Sequence, residues 1–228
     1  MATKARTQPG NTKIEDFNPL ENVQDRYEKN KKAVNIFVTV LLAAVVGFFV
    51  YLKLYKEPRE TKAATAIAQA QTYFQKDSLD KALNGDGQGY GFLRIIKRYG
   101  GTKAANLSNY YAGLCYLKMN DPKNAIKYLK EFDAQGTLVA YTAYGALGDA
   151  YMENNQIKEG IEYYNKAAAN KDNNLITPLY LQRAALAYEM NNQTDKAIEN
   201  YKRIRDEYPQ SMQARDIDKS LAKLGVLN

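Results

Sequence analysis

Three stretches of the sequence repeat one spacing of small and aromatic residues. In each stretch a small residue stands three positions before an aligned tyrosine, and a second small residue stands nine positions after it. The aligned tyrosines are 35 and 37 residues apart. A period of this length is the signature of stacked helical hairpins. The first-helix pairs are Gly113/Tyr116, Gly148/Tyr151 and Ala185/Tyr188, and the second-helix pairs are Ala125/Leu129, Gly160/Tyr164 and Ala197/Tyr201.

The spacing has a physical basis in helix packing. A small residue on the first helix lets the second helix approach closely, and a tyrosine three positions later lies on the same face and fills the remaining space. The small residue on the second helix is predicted to receive the neighbouring first helix. Segments rich in Asn and Asp separate the helices, and these residues favour turns and helix caps. We therefore predict three hairpins over residues 106–209, with Pro209 at the end of the last one.

The same residues resemble the tetratricopeptide consensus, L-G-x-x-Y followed by A-x-x-x-F and a proline, without its leading tryptophan. The resemblance implies a right-handed α-solenoid, and together with the N-terminal transmembrane helix argued below it predicts an all-α fold. Upstream, residues 57–105 are predicted to form a degenerate first repeat with a Gly-rich insertion. Its matching residues are Ala66, Ala70, Tyr73 and Ala82, and the insertion is NGDGQGYG.

The Gly-rich insertion also has to be considered as a phosphate-binding loop. It lacks both a preceding strand and the Gly-Lys-Ser/Thr ending that such a loop requires. A flexible connector is therefore the prediction. Downstream, residues 210–228 are predicted to form a helix that covers the open end of the solenoid. Its inward side chains would be Met212, Ile217, Leu221 and Leu224.

A second constraint is the run from Ala33 to Leu52, which contains 20 residues and no charge. As a helix it would be about 30 Å long, the thickness of a bilayer hydrocarbon core. A buried core helix seldom lacks charge for five turns, and a signal peptide would have a shorter apolar run and a small-x-small cleavage site. We predict a transmembrane helix over 33–54. Its interfacial anchors would be Lys29, Lys31, Lys32, Lys53 and Lys56.

Residues 1–18 are polar and are predicted to form a disordered tail. Asn18 and Pro19 indicate a helix start, so residues 19–32 are predicted to form a juxtamembrane helix. Four basic residues flank each end of the span, which leaves the positive-inside rule undecided. A short tail before a long domain favours a cytoplasmic N-terminus and a translocated C-terminal domain in a single-pass membrane protein.

Composition argues against an enzyme. Histidine is absent and Cys115 is the only cysteine, so the commonest general base, a cysteine metal cluster and an internal disulfide are all ruled out. We predict no cofactor and no metal site, and a buried structural role for Cys115. Residues 1–56 contain 9 basic and 5 acidic residues, so they supply more than half of the net charge of +7. The repeats are therefore only mildly basic, and nucleic acid is not predicted as a partner, whereas membrane lipid is.

The repeat register predicts a concave protein-binding groove on the first helices. It would be apolar with an acidic rim, suited to an extended or helical segment of a protein partner. An alternative is that several of these side chains pack against the capping helix or the neighbouring hairpin. The positions that would grip a peptide carboxylate in co-chaperone repeats hold other residue types, which disfavours that role. The groove residues are Leu107, Tyr110, Leu114, Leu117, Asp149, Met152, Gln182, Leu186 and Glu189, with Thr142, Gly145 and Leu179 on the same face.

The whole layout resembles the YfgM-like proteins of the bacterial inner membrane. The resemblance rests on the segment DRYEKNKKAVNIFVTVLLAAVVGFFVYLKLY, the following alanine-rich helix and the three repeats, over roughly residues 20–225. It implies periplasmic repeats, the SecYEG translocon and a membrane-anchored periplasmic chaperone as partners, and unfolded secretory proteins as clients. Two alternatives remain open. One is a structural scaffold for outer-membrane assembly, secretion or cell division, and the other is a cytoplasm-facing adaptor.

Overall fold

Helices make up all of the regular structure in the part of the chain that the computed structural model describes, which is residues 19–135, 137 and 139–226. Side chains are described from Tyr27 onward. The predicted all-α class is confirmed. The predicted disordered tail, residues 1–18, and the predicted N-cap Asn18 lie outside the described residues. The chain divides between Tyr55 and Lys56 into two units.

The first unit is built on helix α1, Pro19–Tyr51, which a π-helical segment, Leu52–Lys56, follows. Its apolar side chains are exposed all round the helix: Phe37 is 68 % and Ile36 is 65 % exposed. In water such a surface would be costly, whereas in lipid it costs nothing. Within the described residues, one helix near the N-terminus is long and apolar enough to cross a membrane.

The second unit contains ten helices among its described residues, and six of them form three hairpins. The hairpins are α5–α6, α7–α8 and α9–α10, and α6 and α8 each also pack on the first helix of the next hairpin. The helices are α2 (Glu57–Gln75), α3 (Leu79–Asn84), α4 (Phe92–Arg98), α5 (Lys103–Lys118), α6 (Pro122–Glu131), α7 (Ala140–Glu153), α8 (Ile157–Ala167), α9 (Ile176–Met190), α10 (Thr194–Glu207) and α11 (Ile217–Lys223).

Glycine allows close contact within the hairpins. A Cβ atom on Gly113 would lie 2.4 Å from Leu129 Cγ, and one on Gly148 would lie 2.4 Å from Tyr164 Cδ1. The predicted role of the first-helix small residue is thus confirmed. On the second helix, Gly160 faces the Met152 side chain of its own hairpin. The expectation that this residue receives a neighbouring first helix therefore holds for α7, the first helix of its own hairpin.

One turn geometry recurs at the end of four first helices. The fourth residue after the aligned tyrosine has a positive φ, between 56° and 59°, in the left-handed region that Asn and Asp tolerate best among residues with a side chain. The next amide donates a 2.9 Å hydrogen bond to the tyrosine carbonyl oxygen, which closes the helix end. The left-handed residues are Asp77, Asn120, Asn155 and Asn192, and the donor–acceptor pairs are Ser78/Tyr73, Asp121/Tyr116, Gln156/Tyr151 and Gln193/Tyr188.

After the first of these turns the second helix is interrupted. Helix α3 ends at Asn84 with Gly85 as its C-cap, and after a loop α4 begins at Phe92. Helix α3 packs mainly on α2, whereas α4 packs mainly on α5. Together the two short helices take the place that one second helix has in the other hairpins.

The Gly-rich loop 85–91 is organised around Asp86. The backbone amides of Gln88 and Gly89 donate to Asp86 Oδ1 at 3.0 and 2.6 Å, and the Tyr73 hydroxyl donates to Oδ2 at 2.7 Å. These hydrogen bonds, that from Tyr73 first, lower the pKa of Asp86. The loop is therefore an ordered turn and not the flexible connector predicted from its composition. Its inward amides are satisfied by Asp86 itself, which leaves no cradle for a phosphate.

The C-terminal segment is less helical than predicted. A 3₁₀ turn, Gln213–Asp216, precedes α11, and Ile217 and Leu221 are buried against the last hairpin. Leu224 is half-buried, but Met212 is 73 % exposed, so its predicted inward position was wrong. The prediction assumed one helical register from Met212 onward, whereas the α-helix begins five residues later. Cys115 is fully buried, as predicted.

Candidate protein-binding groove

The first helices form one continuous surface. Helix α7 contacts α5 on one side and α9 on the other, while among the described residues no such contact joins α6 to α8 or α8 to α10. Because the first helices are closer together than the second helices, the stack curves with α5, α7 and α9 on its inner side.

An open cleft of about 440 Å³ lies on this inner side. Four of the predicted groove residues line it, and five further residues complete it. The predicted ones are Leu117, Asp149, Met152 and Leu186, and the others are Glu153, Tyr164, Arg183, Ala187 and Met190.

One part of the cleft has an apolar lining, formed by four side chains of α5, α7 and α9. Leu186 and Met190 stand one helical turn apart on α9, and they are 51 % and 62 % exposed. Leu117 of α5 and Met152 of α7 face the same space and are half-buried. Methionine side chains adapt to varied apolar surfaces, so this lining suits partner side chains of differing shape.

Asp149 and Arg183, which both line the cleft, form an ion pair with each other. Arg183 Nη1 donates to both carboxylate oxygens of Asp149, and the Tyr164 hydroxyl donates to Oδ1 at 2.7 Å. Burial lowers the pKa of Arg183, but the hydrogen bond and charge of Asp149 outweigh that effect and the pKa is raised. Burial first, and then the Asp149 charge, raise the pKa of Tyr164. Asp149 is therefore neutralised by structural partners and does not form the predicted acidic rim.

Glu189 has a similar structural partner. The Tyr201 hydroxyl donates to Glu189 Oε1 at 2.5 Å, and Tyr201 is buried. Burial and this hydrogen bond raise the pKa of Tyr201. Glu189 does not line the cleft, and the acid at its edge is the exposed Glu153. Burial, followed by the charge of Asp149, raises the pKa of Glu153.

Other predicted groove residues lie away from the cleft. Leu107 and Tyr110 pack in a separate cluster with Phe132, whose ring centroid is 5.5 Å from that of Tyr110. The connection between α6 and α7 brings Phe132 there, and no repeat pattern predicts its path. Leu114 packs against the core cluster between the first and second hairpins, and Gln182 is half-buried on α9. Thr142 lies 3.5 Å from the Tyr110 hydroxyl, Leu179 packs on the last core cluster, and Gly145 is covered by Tyr180.

Sequence reasoning missed Arg183, Tyr164, Glu153 and Met190. Two signals were available for three of them, Arg183, Glu153 and Met190. Arg183 follows Asp149 by 34 residues, one repeat length, which places the two side chains on adjacent first helices. Glu153 and Met190 each stand four positions after a predicted groove residue and therefore share its helix face. The predicted membrane anchors Lys29, Lys31, Lys32, Lys53 and Lys56 are exposed, and Lys31 pairs with Glu28 at 2.9 Å.

Comparisons with known proteins agree with this geometry. Two family models described as tetratricopeptide repeat match the chain, one at residues 108–135 and 180–211 and the other at 141–174. None of the curated protein sequences compared with this chain matches it.

Solved structures give the same answer for the fold. TPR-like repeats of a Podosopora anserina kinesin light chain protein superpose with a TM-score of 0.55 at 14 % identity, over 72 % of this chain and 86 % of that one. A substituted form of that protein gives 0.55 at 15 % identity, over 72 % and 85 %. At such identity the likeness concerns the fold alone. This chain therefore carries tetratricopeptide repeats between residues 108 and 211.

Proposed function

We propose that this protein is a membrane-anchored scaffold that binds an apolar segment of a partner protein in the cleft between α5, α7 and α9. The observation that carries the proposal is the exposed apolar lining formed by Leu186 and Met190 opposite Leu117 and Met152. Tetratricopeptide repeats bind protein partners, and an amphipathic segment would bury this lining. Helix α1 would hold the scaffold at the membrane.

For the partner we propose the Sec translocon, with the repeats on the periplasmic side. The support is the layout of a basic helix, an apolar span and three repeats, which resembles the YfgM-like proteins. Secretory proteins emerge from a translocon unfolded, with apolar segments exposed, and an adaptable apolar cleft suits such clients. The protein would then be an ancillary subunit that receives these chains or passes them to a membrane-anchored chaperone.

Co-purification tests the partner. The full chain, with a C-terminal affinity tag, would be isolated from its native membrane in mild detergent, and the proteins isolated with it would be identified by mass spectrometry. Translocon subunits support the proposal. A stoichiometric outer-membrane assembly, secretion or division complex in their place contradicts the translocon assignment and favours the scaffold of that machine.

A pair of matched variants tests the cleft. Leu186→Glu places a charge in the apolar lining, and we expect the captured proteins to be lost. Leu175→Glu makes the same change at a leucine that is 76 % exposed and outside the cleft, and we expect no loss. Equal loss, or equal retention, in the two variants would contradict binding in the cleft. Reversing the charge of Asp149 is a poorer test, because it would also break the contacts with Arg183 and Tyr164.

Protease protection tests the orientation. If the repeats face the periplasm, a protease added to intact spheroplasts will digest the C-terminal tag. A tag that is protected in intact spheroplasts and digested after lysis would place the repeats in the cytoplasm, as expected of an adaptor.

A further inference from the structure

The third repeat departs from an aromatic pattern that the first two share. In each of those, the aligned tyrosine stacks on a second tyrosine twelve positions later. The ring centroids of Tyr116 and Tyr128 are 5.4 Å apart, and those of Tyr151 and Tyr163 are 5.3 Å apart. In the third repeat the position twelve residues after Tyr188 holds Asn200.

The replacement of a tyrosine by the smaller Asn200 coincides with a cleft. It has a volume of about 390 Å³ and is formed by the end of α8, the connection that follows it, the last turn of α9 and one face of α10. It therefore lies among the second helices, away from the first cleft, which Leu186 and Met190 line between α5, α7 and α9 and which is called the apolar groove below. Its lining residues are Asn165, Ala168, Ala169, Lys171, Tyr188, Lys196, Glu199, Asn200 and Arg203.

Asn200 carries a buried donor that the described residues do not satisfy. Its side chain is 7 % exposed, and its Nδ2 atom has no hydrogen-bond partner among the described residues. A buried donor without a partner destabilises a fold, so each instance in a folded protein needs a physical reason. A ligand acceptor in the cleft would provide one.

The charges around Asn200 indicate the type of acceptor. Three basic residues, Lys171, Lys196 and Arg203, share the cleft with one acid, Glu199. Arg203 is partly neutralised by Glu207 at 3.2 Å, and Lys196 lies over the Tyr188 ring at 5.5 Å from its centroid. Among the described residues, neither lysine forms an ion pair. The cleft thus combines a buried neutral donor with a net positive charge, which suits an anion.

We propose that this cleft binds a carboxylate of an acidic peptide segment of a partner protein, with the charge facing Lys171 and Lys196 and with a turn of the buried Asn200 side chain bringing Nδ2 to the carboxylate oxygen. The site is separate from the apolar groove and does not depend on the translocon assignment. A scaffold with two such faces binds an acidic segment on one side and an apolar segment on the other.

Fluorescence anisotropy of a labelled hexaglutamate peptide with the full chain in non-ionic detergent tests the proposal. Asn200→Tyr restores the aromatic pair of the other repeats, fills the cleft and removes the unsatisfied donor. We expect at least about tenfold weaker peptide binding, the effect of losing a hydrogen bond to a charged group. The melting temperature should be unchanged or higher. A hexaglutamine peptide, which has the same length without charge, should not bind.

Two charge variants keep the test decisive if Asn200→Tyr does not fold. Lys171→Glu changes an exposed lysine that lines the cleft, and Lys130→Glu changes an exposed lysine on α6 that does not. Weaker binding in the first variant alone supports the site. Equal weakening in both means a nonspecific charge effect and overturns it. Binding of anionic lipid vesicles, lost in Asn200→Tyr, without binding of the peptide would also overturn it, in favour of a lipid headgroup.

Discussion

Arg183 lies one repeat length after Asp149 and donates to both oxygens of its carboxylate, which links helix α9 to α7 across the repeat boundary. The same carboxylate accepts from Tyr164 of α8. One side chain therefore connects both helices of the second hairpin to the first helix of the third. Asp149, Arg183 and Tyr164 also line the apolar groove, so the packing of the repeats and the shape of the groove depend on the same contacts.

A double-mutant cycle should measure this link. Asp149→Ala leaves Arg183 without its ion pair and the buried Tyr164 hydroxyl without an acceptor, so we expect a loss of about 1–3 kcal/mol in the free energy of unfolding. Arg183→Ala and the double variant complete the cycle, measured by urea denaturation. The coupling energy should lie above about 0.5 kcal/mol.

The exposed pair Lys166–Glu162, at 2.6 Å along one helix, serves as the comparison for that cycle. Such a pair contributes about 0.3–0.5 kcal/mol. If the Asp149–Arg183 cycle gives no larger coupling than this surface pair, the proposed link between the repeats is wrong.

Gly145→Ala should disturb the contact between the second and third hairpins. A Cβ atom at this position would lie 1.9 Å from Tyr180 Cζ, so the buried tyrosine would have to move. Overpacking of this kind costs about 1–3 kcal/mol, which a thermal or urea melt can measure. Gly100→Ala is the matched control, because its nearest atom would be 3.4 Å away. A similar effect of the two substitutions would contradict the close contact.

High pH should destabilise the repeats. The pKa of Tyr164 and that of Tyr201 are raised by burial and by their acidic partners, and burial raises the pKa of Tyr180 to about 12. Below about pH 10 these hydroxyls are protonated in both the folded and the unfolded chain, and their contribution to stability is complete. Above it the unfolded chain loses protons first, so stability falls as pH rises.

Urea midpoints between pH 8 and pH 11 test this dependence. Tyr164→Phe should lower the midpoint at pH 8, because a hydrogen bond is lost. It should also make the midpoint fall less steeply above pH 10, because phenylalanine has no hydroxyl that ionises in the unfolded chain. The half-buried Tyr141 provides the control substitution, Tyr141→Phe. An unchanged decline in Tyr164→Phe would mean that this residue does not contribute to the alkaline effect.

Cys115 should be unreactive in the folded chain. It is fully buried, and burial raises its pKa to about 12. At pH 8 the thiolate fraction would be about a thousandfold lower than for an ordinary cysteine, and the thiolate is the reactive form. Modification by a disulfide reagent should be fast in urea and very slow without it. Rapid modification under native conditions would contradict the burial, and Cys115→Ser gives the blank.

The sequence predicted the hairpins well because their packing depends on short-range spacing. Gly113 and Gly148 stand where only a missing side chain allows the second helix to approach, and the aligned tyrosines fix the turn that follows. Such contacts lie within one repeat, and a periodic pattern reports them directly. The groove was predicted less well. Asp149 was expected to offer a free charge, but its neutralising partner comes from the next repeat.

Positions outside the repeat pattern were the hardest to predict. Phe132 lies in a connection without regular structure, and its contact with Tyr110 removes that residue from the groove. Met212 lies before a 3₁₀ turn that changes the helical register. The Gly-rich loop has a composition typical of a flexible segment, yet Asp86 orders it through two backbone amides and one hydroxyl. In each case a single long-range or irregular contact decides the structure.

The shared turn at the end of four first helices provides an internal set of hydrogen-exchange probes. The amides of Ser78, Asp121, Gln156 and Gln193 donate at 2.9 Å to equivalent tyrosine carbonyls, so the same type of hydrogen bond protects each of them from exchange. Differences in their exchange rates would then report the opening free energy of each hairpin separately. Measured together, they would show whether the array opens from one end or as a single cooperative unit.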